Sequence, residues 1–222
     1  MRDLMHAMIA TADKPALGSE GFPVERGLYS TVIAVAGLHQ DRGDGTYGFT
    51  EPANTKLGRT YRPVWEAAKT LFASEDGPIR LGQLYQVWEG PPYGVRRGVM
   101  PILALAFIMA HRTRLAVYGE GQFQADIDDY LVDILLQDEN LVALRRVDID
   151  GFRGAILHGV ASAIAAATDQ ACPADALEAA RRLVRFVRDL PPWTRKTLSL
   201  SSAPVRFAAC FCGPTIRTRP CS

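Results

Sequence analysis

Apolar residues recur at helical spacing along most of the chain. Segments in which they fall on one face of a 3.6-residue turn predict helices. These segments are residues 1–11, 24–38, 61–73, 81–88, 99–112, 127–136, 152–167 and 174–190. The faces predicted to be buried in the first three carry Leu4, Met5 and Met8, then Leu28, Val32 and Val35, then Val64, Ala67, Ala68, Leu71 and Phe72.

Short extended stretches interrupt this helical pattern. Residues 47–50, 79–81 and 141–149 predict brief strands. Two further apolar runs, 115–118 and 122–125, flank Gly119-Glu-Gly121, and such a pair of runs around a glycine turn predicts a β-hairpin. The expected fold class is therefore α+β, mainly α with a small β-hairpin.

The order of elements over residues 62–125 is helix, short strand, helix, turn, helix and hairpin, which is typical of a winged helix-turn-helix. A central winged-helix-like unit flanked by helices is therefore predicted. The expected segments are an N-terminal helical segment at 1–60, the winged-helix-like unit at 61–137, a C-terminal helical segment at 138–209 and an irregular tail at 210–222.

Residues 99–110 are almost entirely apolar, which bears on DNA binding. The third helix of a winged helix needs a polar face to read base edges, so this one is predicted to be a buried scaffold. The candidate nucleic-acid contacts are the arginines that flank it: Arg96, Arg97, Arg112 and Arg114. Arg145 and Arg146 lie near the strand at 141–149, and Glu120 in the wing turn disfavours phosphate. A packing or protein-docking role is favoured, and DNA binding is the alternative.

Composition and charge restrict the partners. The chain has 222 residues, 48% of them hydrophobic, and a formal net charge of +1. Such a balance draws the whole molecule to neither nucleic acid nor membrane, so any attraction must come from a local patch. Residues 1–10 have no continuous apolar stretch, and four cysteines without an export signal predict reduced thiols in a cytoplasmic protein.

No complete catalytic constellation is found in the sequence. It contains neither a P-loop nor a G-x-S-x-G turn, and Cys210, Cys212 and Cys221 match no zinc spacing. The four histidines are scattered and are expected to be ordinary surface or core residues. Asp126 and Asp128 are expected to cap the helix at 127–136. The chain is therefore expected to be non-enzymatic and to need no metal or other cofactor.

Aromatic residues supply a candidate docking surface. Tyr85, Trp88 and Tyr93 lie in and after the helix at 81–88, and Trp193 follows a proline pair. Exposed, they would form a contact surface for a protein partner. Core packing is the ordinary interpretation of the same residues.

Four segments carry a resemblance to a known group of proteins: EGFPVER from Glu20, GPPYGVRRGVMP from Gly90, LAVYGEGQF from Leu115 and LPPWTRKT from Leu190. Over residues 10–205 the chain resembles the region downstream of the P-loop domain in large prokaryotic ATPases encoded in restriction and antiphage loci. The resemblance implies a truncated or split part of such an ATPase, with a P-loop ATPase domain or subunit as its partner. It assigns no catalytic residue.

The tail at 210–222 has neither a helical nor a strand period. Two interpretations stay open at this point. One is a frameshift or premature stop, which would agree with the implied truncation, and the other is a disordered terminus.

Overall fold

A computed structural model describes residues 1–19, 24–147 and 176–191, together with Trp193. The chain forms two compact units, Met1–Asp148 and Ile149–Ser222. Helices dominate and small antiparallel sheets accompany them, which confirms the predicted fold class. The helix predicted at 152–167 and the tail at 210–222 lie outside the described residues.

The chain begins with helix α1, Arg2–Ala10, followed by a 3-10 turn at Pro15–Gly18. The buried residues of α1 are Leu4, Met5 and Met8, which is the face that its spacing predicted. These side chains join the main core, where α1 packs against the later helix α6, Asp129–Gln137.

Helix α2, Val24–Leu28, continues as a π-helical stretch, Tyr29–Ala34. The predicted buried face, with Leu28, Val32 and Val35, is only partly correct, because Val35 is 39% exposed. The i→i+5 bonds of a π-helix add a residue to each turn, so the apolar face rotates away from the 3.6-residue spacing. Tyr29, Val32 and Ile33 are buried instead.

A hairpin follows, formed by β1, His39–Asp41, and β2, Tyr47–Phe49. The second strand was predicted, but the first was not, since Gln40 and Asp41 give it no apolar alternation. Its turn places Gly43 and Gly45 at positive φ, 92° and 82°, which glycine adopts without strain.

Three helices form the centre of the first unit: α3, Gly58–Ser74; α4, Leu81–Glu89; and α5, Met100–Ala110. Trp65 is buried on α3 beside the predicted Val64, Ala68 and Phe72. Helix α5 is buried on all sides, with Met100 and every residue from Ile102 to Ile108 inaccessible. The prediction that α5 is buried is confirmed.

A four-stranded antiparallel sheet accompanies these helices, with strand order β3-β6-β4-β5. The strands are β3, Ile79–Arg80; β4, Leu115–Gly119; β5, Gln122–Gln124; and β6, Val142–Arg146. The predicted hairpin is β4 with β5, joined by Glu120 and Gly121 at φ 50° and 79°, as two-residue hairpin turns require.

Strand β6 lies between β3 and β4, a position that element order alone did not reveal. Helix α6 begins at the cap Asp128, whose carboxylate accepts the Leu131 N–H (3.1 Å), and returns the chain to the sheet. The sheet therefore takes strands from both of the segments predicted at 61–137 and 138–209.

The second unit contributes helix α7, Ala176–Asp189, within the predicted helix at 174–190. Glu178 accepts from the Arg182 guanidinium four residues later (3.2 Å), an i,i+4 pair that supports the helix. Across the described residues, no helix has both the length and the apolarity that crossing a membrane requires.

Candidate functional site

The four candidate arginines fall into two groups at opposite ends of α5. Arg96 and Arg97 precede the helix, and Arg112 and Arg114 follow it. Eleven residues at 1.5 Å each separate the two ends by about 16 Å. The four arginines therefore do not make one compact site.

At the first end, Arg97 is engaged by two carboxylates. Its Nε lies 3.2 Å from Glu89 Oε2, and its Nη1 lies 3.4 Å from Glu139 Oε1. These contacts join the turn before α5 to the end of α4 and to the loop before β6. The two carboxylates also neutralise the positive charge of Arg97 that would otherwise attract a phosphate. Arg96 is exposed and makes no ion pair with the described residues.

At the second end, the structure adds two arginines to the predicted pair. The Val147 N–H donates to the Arg114 carbonyl (2.9 Å), which continues the pairing of β6 with β4. Arg145 and Arg146 at the end of β6 are exposed, as are Arg112 and Arg114. The pairing of β6 with β4 brings Arg145 and Arg146 close to Arg114, and this strand register could not be predicted from the sequence.

The wing turn is held in place and carries a negative charge. The Tyr130 hydroxyl on α6 donates to Glu120 Oε2 (2.6 Å), and the Glu120 N–H donates to the Leu141 carbonyl (2.8 Å). The carboxylate raises the pKa of Tyr130. A fixed, acidic wing is poorly suited to the DNA backbone, as its sequence indicated.

Two of the three aromatic residues proposed for docking are buried. Tyr85 is 4% exposed and Trp88 is fully buried, with its indole N–H donating to the Val64 carbonyl (2.9 Å). Their rings stack at 6.2 Å. Because docking needs an exposed side chain, the core-packing interpretation holds for both. Both side chains are buried because they lie on the face of α4 that packs on α3 and α5.

Tyr85 has a further peculiarity. Its buried hydroxyl has no hydrogen-bond partner among the described residues. Burial, with a smaller contribution from Glu139, raises the pKa of this phenol well above its usual range. The hydroxyl therefore stays protonated near neutral pH.

Tyr93 is half-buried and lines an open groove of about 520 Å³ beside α3. We call this surface the α3–α4 groove. Its lining consists of one stripe of α3 together with two residues from α4 and the following turn: Pro63, Glu66, Ala67, Thr70, Leu71, Ser74, Val87 and Tyr93. The floor is largely apolar, and polar side chains stand along it, as in surfaces that bind helices.

A polar cluster surrounds the C-terminal end of α5. The Trp65 indole N–H donates to His111 Nε2 (3.1 Å), so that nitrogen carries no proton. Lys69 bridges Glu51 (3.1 Å) and Glu66 (2.7 Å) nearby. Burial lowers the pKa of His111 despite these carboxylates. The Nε2 lone pair of His111 is occupied by the Trp65 N–H, and the cluster joins the segment after the first hairpin, α3 and the end of α5.

A second histidine is fully enclosed. His39 is buried, with Nε2 2.7 Å from the Ala12 carbonyl and Nδ1 3.0 Å from the Tyr29 hydroxyl. The neutral ring satisfies both partners when Nε2 carries the proton. Burial lowers the pKa of His39, and it raises the pKa of Tyr29. His39 is a core residue and His111 is half-buried, and both have hydrogen-bond partners.

No group of three or more potential metal ligands comes together within the described ranges. Comparison of the chain with family models, with curated proteins and with solved structures found no significant match.

Proposed function

We propose that the chain is a non-catalytic regulatory or interaction module of a P-loop ATPase of a prokaryotic defence system, acting as part of that ATPase or beside it in the cytoplasm. The observation that carries the proposal is the burial of α5, in which eight of eleven residues are inaccessible. A helix buried in this way cannot read base edges, so the winged-helix-like unit serves as a scaffold. The motif resemblance supplies the kind of partner.

The α3–α4 groove is the surface proposed to contact the ATPase. Ala67, Leu71 and Tyr93 give it an apolar floor, and Glu66, Thr70 and Ser74 add polar atoms. An amphipathic helix fits such a groove, with its apolar residues against α3 and its polar residues toward solvent. The proposed occupant is a helix of the P-loop ATPase domain or subunit.

A matched pair of substitutions on one helix tests this proposal. Ala67 lines the groove, whereas Ala73 is exposed on α3 outside it. We expect the chain to co-purify with the P-loop ATPase from the same host locus. Ala67→Arg should weaken that complex at least tenfold, and Ala73→Arg should leave it unchanged, with affinities measured by biolayer interferometry.

Two results would count against this function. One is the absence of a complex between the purified chain and that ATPase at tens of micromolar. The other is an equal effect of the Ala67 and Ala73 substitutions, which would show that the groove is not the contact surface.

The alternative is a DNA-binding winged-helix module. It is favoured by the exposed Arg112, Arg114, Arg145 and Arg146 around the start of β4. A duplex-binding module would show salt-dependent affinity for duplex DNA, lost on Arg112→Ala plus Arg114→Ala. No duplex binding at low salt would sink this alternative.

A further inference from the structure

The four-stranded sheet has one face against the helices and one face turned away from them. Helices α3, α4 and α6 contact β6. The side chains on that face belong to the main core: Ile79, Leu115, Val117, Val142 and Leu144. Because successive residues of a strand alternate between faces, the remaining strand residues lie on the opposite face.

One row of residues crosses all four strands on that opposite face. Arg80 pairs with Ala143, Ala143 with Tyr118, and Tyr118 with Phe123. Residues directly opposite one another in antiparallel strands share a face, so the four lie side by side. With about 4.8 Å between strands, the row is roughly 14 Å long.

The outer face carries aromatic rings and arginines. The rings of Tyr118 and Phe123 meet edge to face, with centroids 6.0 Å apart and an interplanar angle of 69°. Such a contact occupies only one face of one ring, and both side chains are half-buried. Arg80 is exposed at the end of the row, and Arg145 is exposed opposite Ala116 in the next row.

The charged strand residues of this surface have one sign. The strand residues on the outer face are Arg80, Ala116, Tyr118, Phe123, Ala143 and Arg145; Ala116 is buried, and the others are exposed or half-buried. The carboxylate of Glu120, in the turn between Tyr118 and Phe123, accepts from the Tyr130 hydroxyl at 2.6 Å. The exposed Arg114 is near the end of β6, where its carbonyl accepts the Val147 N–H. With a net charge of only +1, the chain has no general attraction for polyanions, so this local patch matters.

We propose that this basic–aromatic face, formed by Arg80, Tyr118, Phe123 and Arg145, binds single-stranded nucleic acid. The arginines contact phosphates, and the rings stack on unpaired bases. Every base has a π-face, so such stacking needs no particular sequence. A duplex keeps its bases stacked internally and offers the rings nothing, which distinguishes this surface from a groove reader.

The proposed face shares no residue with the α3–α4 groove, so it does not depend on the ATPase partner. The test uses the full chain alone, and fluorescence anisotropy with labelled 15-nucleotide dT and rU strands reports binding. The expected result is binding of at least one strand at low salt, at least tenfold tighter than binding of a duplex of the same length. Comparing dT with rU shows which sugar is preferred.

Substitutions assign the binding to this face. Tyr118→Ala and Phe123→Ala should each weaken binding about 5- to 100-fold, and Tyr118→Phe should retain it because the ring remains. Arg80→Gln and Arg145→Gln are exposed changes that preserve the core, and each should reduce the slope of log K against log salt by about 0.7. Arg96→Gln, at the far end of α5, removes the same charge and should change neither quantity.

Several outcomes would overturn the proposal. They are no binding of either strand at low salt, tighter binding of the duplex, or full affinity after loss of both rings in a variant that still melts cooperatively. An effect of Arg96→Gln equal to those of Arg80→Gln and Arg145→Gln would also overturn it, since the attraction would then be unspecific.

Discussion

At the scale of single residues, His39 shows how burial decides chemistry. Both ring nitrogens are used, by the Ala12 carbonyl and the Tyr29 hydroxyl. The ring also contacts Tyr47 and Phe49, and nearby Arg42 further disfavours a positive charge. The residue therefore joins the N-terminal segment, the π-helical stretch and the first hairpin as a neutral side chain.

This arrangement predicts a pH-dependent stability. Burial lowers the pKa of His39 below its ordinary value of 6.5, so the unfolded chain binds the proton more readily. The stabilisation is complete above about pH 6.5 and declines as the pH falls below that value. Urea unfolding at pH 7.5 and pH 5.5 should show this loss.

The control is His39→Gln, whose neutral amide can donate to Ala12 and accept from Tyr29. Its free energy of unfolding should fall less between the two pH values than that of the unaltered chain. His111, whose pKa burial also lowers, contributes to both proteins equally. Identical losses in the two proteins would mean that His39 does not titrate as described.

The buried Trp88 predicts a second residue-scale result. Its indole fills the core and donates to the Val64 carbonyl. Trp88→Phe removes the hydrogen bond and leaves unfilled volume, so it should lower the free energy of unfolding by about 2 kcal/mol. Trp193 is 73% exposed, and Trp193→Phe should change the free energy of unfolding by less than about 0.5 kcal/mol. Similar effects at both positions would contradict the burial of Trp88.

At the scale of elements, helix α5 forms the centre of the core of the first unit. Its apolar character was visible in the sequence, and its burial on every side follows from it. The hairpin turn and the cap of α6 could also be predicted from the sequence, because glycine favours the positive φ of Gly121 and aspartate favours the cap position of Asp128. The π-helical stretch and the position of β6 could not be predicted, since both depend on contacts between segments that are distant in sequence.

Charged substitutions around α5 test its burial. Ala104, Leu105 and Ala106 are consecutive, so they point in three directions around the helix, and all are inaccessible. Ala104→Glu, Leu105→Glu and Ala106→Glu should each destabilise the fold by more than about 3 kcal/mol. Ala73 is an exposed residue of α3, and Ala73→Glu should change the free energy of unfolding by less than about 0.5 kcal/mol. Thermal unfolding measures all four, and one tolerated change in α5 would reveal an accessible side.

The contact of the wing with α6 predicts a second result at this scale. A Cβ on Gly119 would lie 2.7 Å from Ile134 Cδ1, within the packed core. Gly119→Ala should therefore cost about 1–3 kcal/mol of unfolding free energy. Gly77 has no neighbour within 4 Å of an added Cβ, and Gly77→Ala is the control that should cost nothing. A neutral Gly119→Ala would show that the wing is not fixed against α6.

At the scale of the whole molecule, the fold class and most helices of the described residues could be predicted, but the candidate site could be predicted only in part. The two ends of α5 separate Arg96 and Arg97 from Arg112 and Arg114, and only strand register joins the latter to Arg145. Tyr93 alone of the three docking aromatics stays at a surface. The residues that share a surface are determined by which helices and strands pack together, and that packing is difficult to predict from a single sequence.

We propose above all that this chain is a non-catalytic module coupled to a P-loop ATPase. The most direct test is the Kd between the chain and that ATPase, measured by isothermal titration calorimetry with a non-hydrolysable ATP analogue and with ADP. Coupling predicts affinities that differ by about 5- to 150-fold between the two nucleotide states. Equal affinities, or no binding in either state, would contradict the account.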